Sequence, residues 1–531
     1  MRRSFRTALA ALAVTTVLAA GGCAASAGPA TLLDWSQRSG RVAHGGRMAQ
    51  AAVEPAATTE PLPSRSPKAP KQPGVDGGGG PPASAPVPAA PVTRYGFPGS
   101  VIVGRPTATT AALSVLASTD LSVYAEYGKA SGRYTARTPT IALTAGKPAA
   151  LSLAGLAPNA VTYYRLRYRA KGATAFSAAT QQAFRTQRAA GATFTFAVEA
   201  DPHVDVDRKM QPALLRAALA NIRAARPDFL VDLGDTFLGD KFAKSATELA
   251  IQYANVRNYF GITGPSVPLF LVNGNHEGED GWALDGSADV LPVWAATARK
   301  AYYPVPSVGS FYSGSTVKAP HVGEVDSHYA WEWGDALFVV LDPYTYTTTD
   351  PRKSGDIWDW TLGADQYAWL EKTLASSDAT YRFVFSHHVL GEGRGMVELA
   401  DLGEWGGEDK NGTDRFAAER PGWAMPVHDL FVKYGVTIFF QGHDHLYARQ
   451  ELDGVVYQEV PQPATTGDPA NEGAYTSGTV LPAPGTLTVT VASTGVTVKY
   501  IRSSVTSSGS PGPDNGAVVH AYTIPKPVAR P

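Results

Sequence analysis

The 531-residue chain has a single cysteine, Cys23. This rules out an intramolecular disulfide framework and any cysteine-based zinc knuckle, so a bound metal has to draw on His, Asp, Asn or Glu. Neither charge is in excess, since 46 Lys and Arg against 47 Asp and Glu leave a formal net charge of -1. Without a global basic field to hold a polyanion, a nucleic acid is not the expected partner. Beyond residue 27 no stretch approaches the ~18 continuous apolar residues of a membrane span. Aromatic residues are nearly missing from 28 to 92, where Trp35 stands alone. What is present is a 44% hydrophobic content and a length that calls for two or more domains plus linkers.

Residues 1–27 open with Arg2, Arg3 and Arg6, continue through an apolar run from Ala8 to Ala20 and end in small residues, the pattern of an export signal peptide. Arg2-Arg3-Ser4-Phe5 is similar to a twin-arginine signal, which serves proteins exported already folded. The basic start of an ordinary signal accounts for the same residues. Ala20-Gly21-Gly22-Cys23 is similar to a lipoprotein cleavage box, with Ala20 where Leu is usual, and Ala25-Ser26-Ala27 offers ordinary cleavage instead. The mature chain is therefore expected outside the cytoplasm: secreted, periplasmic, or tethered to a membrane through a lipidated Cys23. Residues 28–92, rich in Pro, Ala, Gly and Ser, read as a disordered linker, either a spacer or an inert tail.

From 93 to 187, short alternating runs such as Ala111 to Ala117, Ser122 to Tyr127, Ala149 to Leu153 and Thr162 to Tyr168 are separated by Gly, Pro and Asn. Such spacing predicts a small antiparallel sandwich. From 193 to 525 strands alternate with helical patterns. Leu214, Leu215, Leu219 and Ile222 recur at helical spacing before Pro227, Tyr367, Leu370 and Leu374 do so after Asp365, and Val427 to Tyr434 meets a stop at Gly435. After His445 the runs Val455 to Val460, Thr486 to Ala492, Gly495 to Ile501 and Val518 to Ile524 predict strands that complete a second sheet. The expected fold is α/β in four layers, helices outside and two mixed sheets inside, preceded by the all-β sandwich and ending in a tail at 526–531.

Five apolar runs in this region end in polar residues able to bind metal. Phe194 to Glu199 leads into Asp201-Pro202-His203, and Phe229 to Leu233 into Gly234-Asp235. Leu269 to Val272 precedes Gly274-Asn275-His276-Glu277, Tyr381 to Phe385 precedes Ser386-His387-His388, and Val436 to Phe440 precedes Gly442-His443-Asp444-His445. Ligands of α/β sheets collect at the carboxyl ends of strands. Six of the eleven histidines fall in these segments, which histidines scattered for structure would not do. Two metal ions ~3.5–4 Å apart can clamp a phosphoryl group, and one carboxylate must bridge them. Asp235, central in order and preceded by a glycine, is the natural bridge.

In order, these segments resemble the motif set of calcineurin-like metallophosphoesterases. Leu156-Ala157-Pro158-Asn159-Ala160-Val161-Thr162-Tyr163-Tyr164-Arg165 with Phe184-Arg185-Thr186 resembles the fibronectin type III module that precedes the catalytic domain of purple acid phosphatases. The resemblance implies one ion held by Asp201, His203, Asp235 and His445, and a second held by Asp235, Asn275, His387 and His443. It also implies that His276 faces substrate and protonates the leaving oxygen or binds phosphate. The mixed ligands suit iron, manganese, zinc or nickel better than calcium or magnesium. Purple acid phosphatases carry a tyrosine three residues after the bridging Asp. Leu238 stands there in this chain, His203 takes over as ligand, and the charge-transfer colour is not expected.

Glu277 is read either as orienting His276 or as a surface carboxylate, and Asp444 as supporting the loop between two ligands. His388 receives no role, and Asp232 and Asp342 are read as structural. Two long insertions, Gly278 to Asp335 and Gly391 to Pro421, are expected to shape the pocket. The second carries Trp405, Arg420 and Arg394, the last read as a solvated loop residue or a phosphate ligand. Asn411-Gly412-Thr413 matches a glycosylation sequon. Together the resemblance implies an exported hydrolase of phosphate monoesters. A phosphodiesterase with the same centre and an inactive surface binding protein are the alternatives.

Overall fold

The computed structural model describes residues 93–204, 210–391, 393–466 and 469–527. The signal-peptide and linker expectations, Cys23 included, lie outside the described residues, as does most of the 526–531 tail. All described residues belong to one unit, Gly79–Pro531.

Two facing sheets form the sandwich. One runs in the order Thr93–Arg94, Phe97–Gly104, Thr110–Ala117, Pro148–Ala154; the other in the order Gln182–Arg185, Val161–Ala170, Leu121–Gly128, Ala136–Arg137. Val123, Ala125, Leu113, Val115, Leu151 and Tyr164 fill the space between them. Leu121–Gly128 buries every second residue, the alternation seen in the sequence and the reason it lies with one face inward.

From Phe194 onward two further sheets stack face to face. In the first, Leu269–Leu271, Leu230–Asp232 and Phe194–Glu199 are parallel, and Gly485–Ala492, Gly495–Arg502 and Val518–Pro525 extend it antiparallel. The second has eight strands, with Ala336–Val340, Tyr381–Phe385, Ile438–Gln441 and Val455–Glu459 running parallel at its centre. Alternate residues of a central strand face different layers. Phe383 and Phe385 join the aromatic core between the sheets, with Phe196, Phe229, Phe338 and Trp331, while Val384 points to the outer helices. Burial on both faces makes such strands read as unbroken apolar runs. Helices Pro212–Ala225, Ala246–Phe260 and Leu291–Tyr302 cover the first sheet, and Gly363–Ser376 and Val427–Tyr434 cover the second. The result is the expected four layers.

Two expectations need correction. The strands after His445 do not all complete one sheet: Tyr447–Leu452, Val455–Glu459 and Thr479–Leu481 join the second, and the last three join the first. Nor is Gly278 to Asp335 a pocket loop throughout. It contains helix Leu291–Tyr302 and strand Tyr329–Trp333, whose residues are core. Helix Ala246–Phe260 and the turn after it carry the sandwich. Arg257, fully buried, donates to Ser100 Oγ at 3.0 Å, Ser114 Oγ at 2.7 Å, Ser114 O at 2.9 Å and Tyr302 O, and the Tyr164 hydroxyl donates to Pro265 O at 2.7 Å. Among the described residues no helix is long and apolar enough to cross a membrane.

Candidate metal centre

The parallel strands of both sheets end at the same edge, and the turns that follow them carry the residues singled out above. The turns interlock: Asp201 N–H donates to Gly234 O at 3.0 Å, His203 N–H to Asp235 O at 3.2 Å, and Gly442 N–H to His387 O at 3.0 Å. Asp201, His203, Asp235, His443 and His445 all have positive φ, between 44° and 78°. Non-glycine residues hold this conformation only where the surroundings over-determine it, and such strain clusters at functional sites. Two glycines back directly onto carboxylates. A Cβ on Gly274 would lie 2.3 Å from Asp235 Oδ1, and one on Gly442 would lie 2.5 Å from Asp201 Oδ2. At both positions only a hydrogen fits.

Each carboxylate uses one oxygen for the backbone and turns the other inward. Asp201 Oδ2 accepts His443 N–H at 2.8 Å, and Asp235 Oδ1 accepts His276 N–H at 2.9 Å. The buried Asp201 Oδ1 has no hydrogen-bond partner among the described residues, yet imidazole nitrogens surround it: His445 Nε2 at 3.4 Å, His203 Nε2 at 3.8 Å and His387 Nε2 at 3.9 Å. Around Asp235 Oδ2 lie His387 Nε2 at 3.2 Å, His203 Nε2 at 3.6 Å and His276 Nε2 at 3.9 Å. Asn275 Oδ1 is 2.9 Å from His443 Nδ1 and 3.1 Å from His387 Nε2. Asp201, His203 and His445 form one group able to hold a metal, and Asp235, His387 and His443 form a second. His387 Nδ1–H donates to Leu233 O at 2.9 Å, leaving the Nε2 lone pair for the cluster. Inward lone pairs of carboxylate, carboxamide and imidazole, with an orphaned carboxylate oxygen among them, are a donor set that fits two transition-metal ions.

Burial opposes charge on Asp235, and the His387 and His276 imidazoles beside it outweigh that, holding its carboxyl well below the usual range. For His387 burial also works against charge, and Asp235 prevails, raising it to about 10. A divalent ion would take the place of that proton.

Around the cluster, buried groups hold the turns. Glu277 accepts N–H groups of Gly274 at 2.6 Å, Asp235 at 3.0 Å and Thr236 at 2.8 Å. It is neither a surface carboxylate nor the partner of His276. Burial, with Asp235 beside it, pushes its carboxyl up to about 7. Asp444 accepts from Gly395 N–H at 2.7 Å, the Tyr475 hydroxyl at 2.6 Å and Arg394 at 3.0 Å. Arg394, on a partly exposed loop, also donates to His443 O, so it braces the turn. His388 is buried, its Nε2 3.2 Å from Gly395 O. Asp232 accepts Thr236 Oγ1 at 3.0 Å, and Asp342 accepts Thr345 Oγ1 at 2.6 Å, both as structural groups. Trp405 packs in the outer core, and Arg420 pairs with Glu404 at 2.8 Å.

His276 is positioned by residues the sequence reading missed. Its Nδ1 lies 2.9 Å from Asp240 Oδ1 and its Nε2 3.1 Å from Lys241 Nζ. A carboxylate only accepts, so Nδ1–H donates to Asp240 and Nε2 accepts from the ammonium. Both partners sit on the short helix Gly239–Phe242, which no sequence pattern marks. Tyr475 is 31 residues from Asp444, equally beyond any local signal.

Residues 194–447 match the family described as calcineurin-like phosphoesterase. Among curated proteins no sequence matches the chain. Among solved structures, PhoD is similar with a TM-score of 0.59 at 13% identity, over 82% of this chain and 92% of its own. The purple acid phosphatase PPD1 of yellow lupin, Lupinus luteus, aligns with a TM-score of 0.55 at 18% identity, over 81% of this chain and 75% of its own. At those identities the likeness is one of fold.

Proposed function

We propose that this chain, whose residues 194–447 belong to the calcineurin-like phosphoesterases and which is a metal-dependent phosphoester hydrolase, acts on phosphate monoesters outside the cytoplasm. The observation that carries the reading is the convergence of Asp201, His203 and His445 on one side and Asp235, His387, His443 and Asn275 on the other, with Asp235 Oδ2 between them. Asp201, His203, Asp235 and His445 would hold one ion, and Asp235, Asn275, His387 and His443 the other, with iron, manganese or zinc best suited to the donors. Bound there, such ions polarise the phosphoryl group and activate water as nucleophile.

The chain's own residues do the rest. Most of the cluster is closed: the His387 side chain is fully buried and the carboxylates nearly so, whereas His276 and His445 keep 13% and 20% of their side-chain surface open. An ester would approach at His276 and His445, and their small exposure fits a substrate with a single substituent. His276 stands there, oriented by Asp240, and its Nε2 would serve the departing oxygen. Proton donation of this kind is typically worth ~100 to ~10,000-fold and matters most for a poor leaving group. His276→Ala should therefore lose turnover steeply on an alkyl phosphate and much less on a nitrophenyl phosphate, with metal content retained. Equal losses on both would show that His276 positions phosphate instead. A panel pairing each monoester with its methyl diester distinguishes the diesterase reading, which predicts preference for the diester. Export rests on the composition of residues 1–27, and replacing Arg2 and Arg3 together by Lys should block it if the twin-arginine route is used.

A further inference from the structure

Resting on the monoesterase reading, we propose that Lys241 is a specificity-determining residue that selects phosphate esters whose leaving group carries a second anion, a carboxylate or another phosphate. His276 Nε2 lies 3.9 Å from Asp235 Oδ2 of the cluster and 3.1 Å from Lys241 Nζ. A leaving oxygen served by His276 Nε2 therefore has its substituent within reach of the Lys241 ammonium. The lysine is exposed, and its ammonium has no carboxylate partner among the described residues; its one side-chain bond is to the imidazole. The carboxylate of the preceding residue, Asp240, pairs with His276 Nδ1. Lys244 Nζ reaches Lys241 O at 3.3 Å, placing a second ammonium on the same exposed turn.

An ammonium held by one neutral acceptor exchanges it for an anion readily, because the attraction of opposite charges adds to the hydrogen bond. The exchange also opens room beside His276 Nε2, because an anionic substituent that draws the ammonium away vacates the position it holds there. A neutral substituent offers Lys241 nothing and leaves the contact in place.

The test uses three esters of matched size with the metal-loaded protein: ethyl phosphate, phosphoglycolate and ethanediol bisphosphate. Wild type should show kcat/KM for both anionic esters about tenfold or more above that for ethyl phosphate, a preference that shrinks with added salt as screening of an exposed cation requires. Lys241→Met should lower kcat/KM for the anionic esters about tenfold more than for ethyl phosphate, chiefly through KM, and Lys241→Arg should restore most of the ratio. The order of phosphoglycolate and the bisphosphate tells whether the site favours carboxylate or phosphate. A Lys241→Met variant whose losses are equal on all three esters would overturn this inference alone. No hydrolysis of any of the three by wild type would overturn the monoesterase reading, and this inference with it.

Discussion

Glu199, the last residue of strand Phe194–Glu199, is fully buried, and neither of its carboxylate oxygens has a hydrogen-bond partner among the described residues. Across the parallel ladder it faces Asp232, another buried acid, whose carboxyl is raised well above its ordinary value by burial and then by Glu199 and Glu277. Burial alone pushes Glu199 from 4.5 up to about 8. For an acid with a raised folded pKa, stability is fully present below the unfolded pKa and is lost as pH rises. Between about 4.5 and 8 the unfolded chain ionises at this residue while the folded one keeps its proton, so stability falls by about 1.4 kcal/mol per pH unit, about 5 kcal/mol in all. Above about 8 both states are ionised and the loss levels off.

Glu199→Gln removes the titration and keeps the shape. The amide it introduces carries its own buried penalty of about 1–3 kcal/mol, independent of pH. The variant should therefore melt at or below wild type at pH 5 and clearly above it at pH 8. Thermal melts of chelator-treated protein at pH 5, 6.5 and 8 read this directly, because the titrating groups other than Glu199 and the Asp232 beside it behave alike in the two proteins. A difference in melting temperature that stays constant across the three pH values would refute the reasoning.

Gly274→Ala should lower metal affinity by about 10- to 100-fold while the fold persists by circular dichroism, since its methyl would displace the Asp235 carboxylate; unchanged metal titration would contradict it. Metal binding should release protons and weaken as pH falls, because the Asp235 carboxylate raises His387 to about 10 and the ion must displace that proton. Calorimetry in buffers of different ionisation enthalpy detects this release. Removing residues 93–187 strips Arg257 of its bonds to Ser100 and Ser114 and uncovers the apolar surface around it, so the shortened chain should melt below the full one.

Much of the architecture was legible because the central strands are buried on both faces. Tyr381–Phe385 and Phe194–Glu199 have the bounds their apolar runs suggested, and helix Val427–Tyr434 ends at Gly435 in the left-handed conformation. The seven residues named as metal ligands lie together because each follows a strand that ends at the same sheet edge. Other features depend on contacts that local pattern does not carry. Which sheet receives Gly485–Ala492 is decided by its antiparallel pairing with Phe194–Glu199, nearly 300 residues earlier in the chain. Asp240 and Lys241 follow no motif, since their roles come from a four-residue helix that folds back over His276. The role of Glu277 is likewise invisible locally, since its carboxylate serves three backbone N–H groups, two of them about 40 residues earlier in the chain.

The central claim is that Asp235 lies between two ions that together hydrolyse a phosphate ester. Metal content and monoester turnover, measured side by side for wild type, Asp235→Asn and Asp232→Asn, test it most directly. The account predicts two ions per chain and turnover in wild type, loss of metal and nearly all activity in Asp235→Asn, and far smaller changes in Asp232→Asn, whose side chain bonds Gly234 N–H and Thr236 Oγ1. An Asp235→Asn protein that kept both ions and wild-type turnover would contradict it.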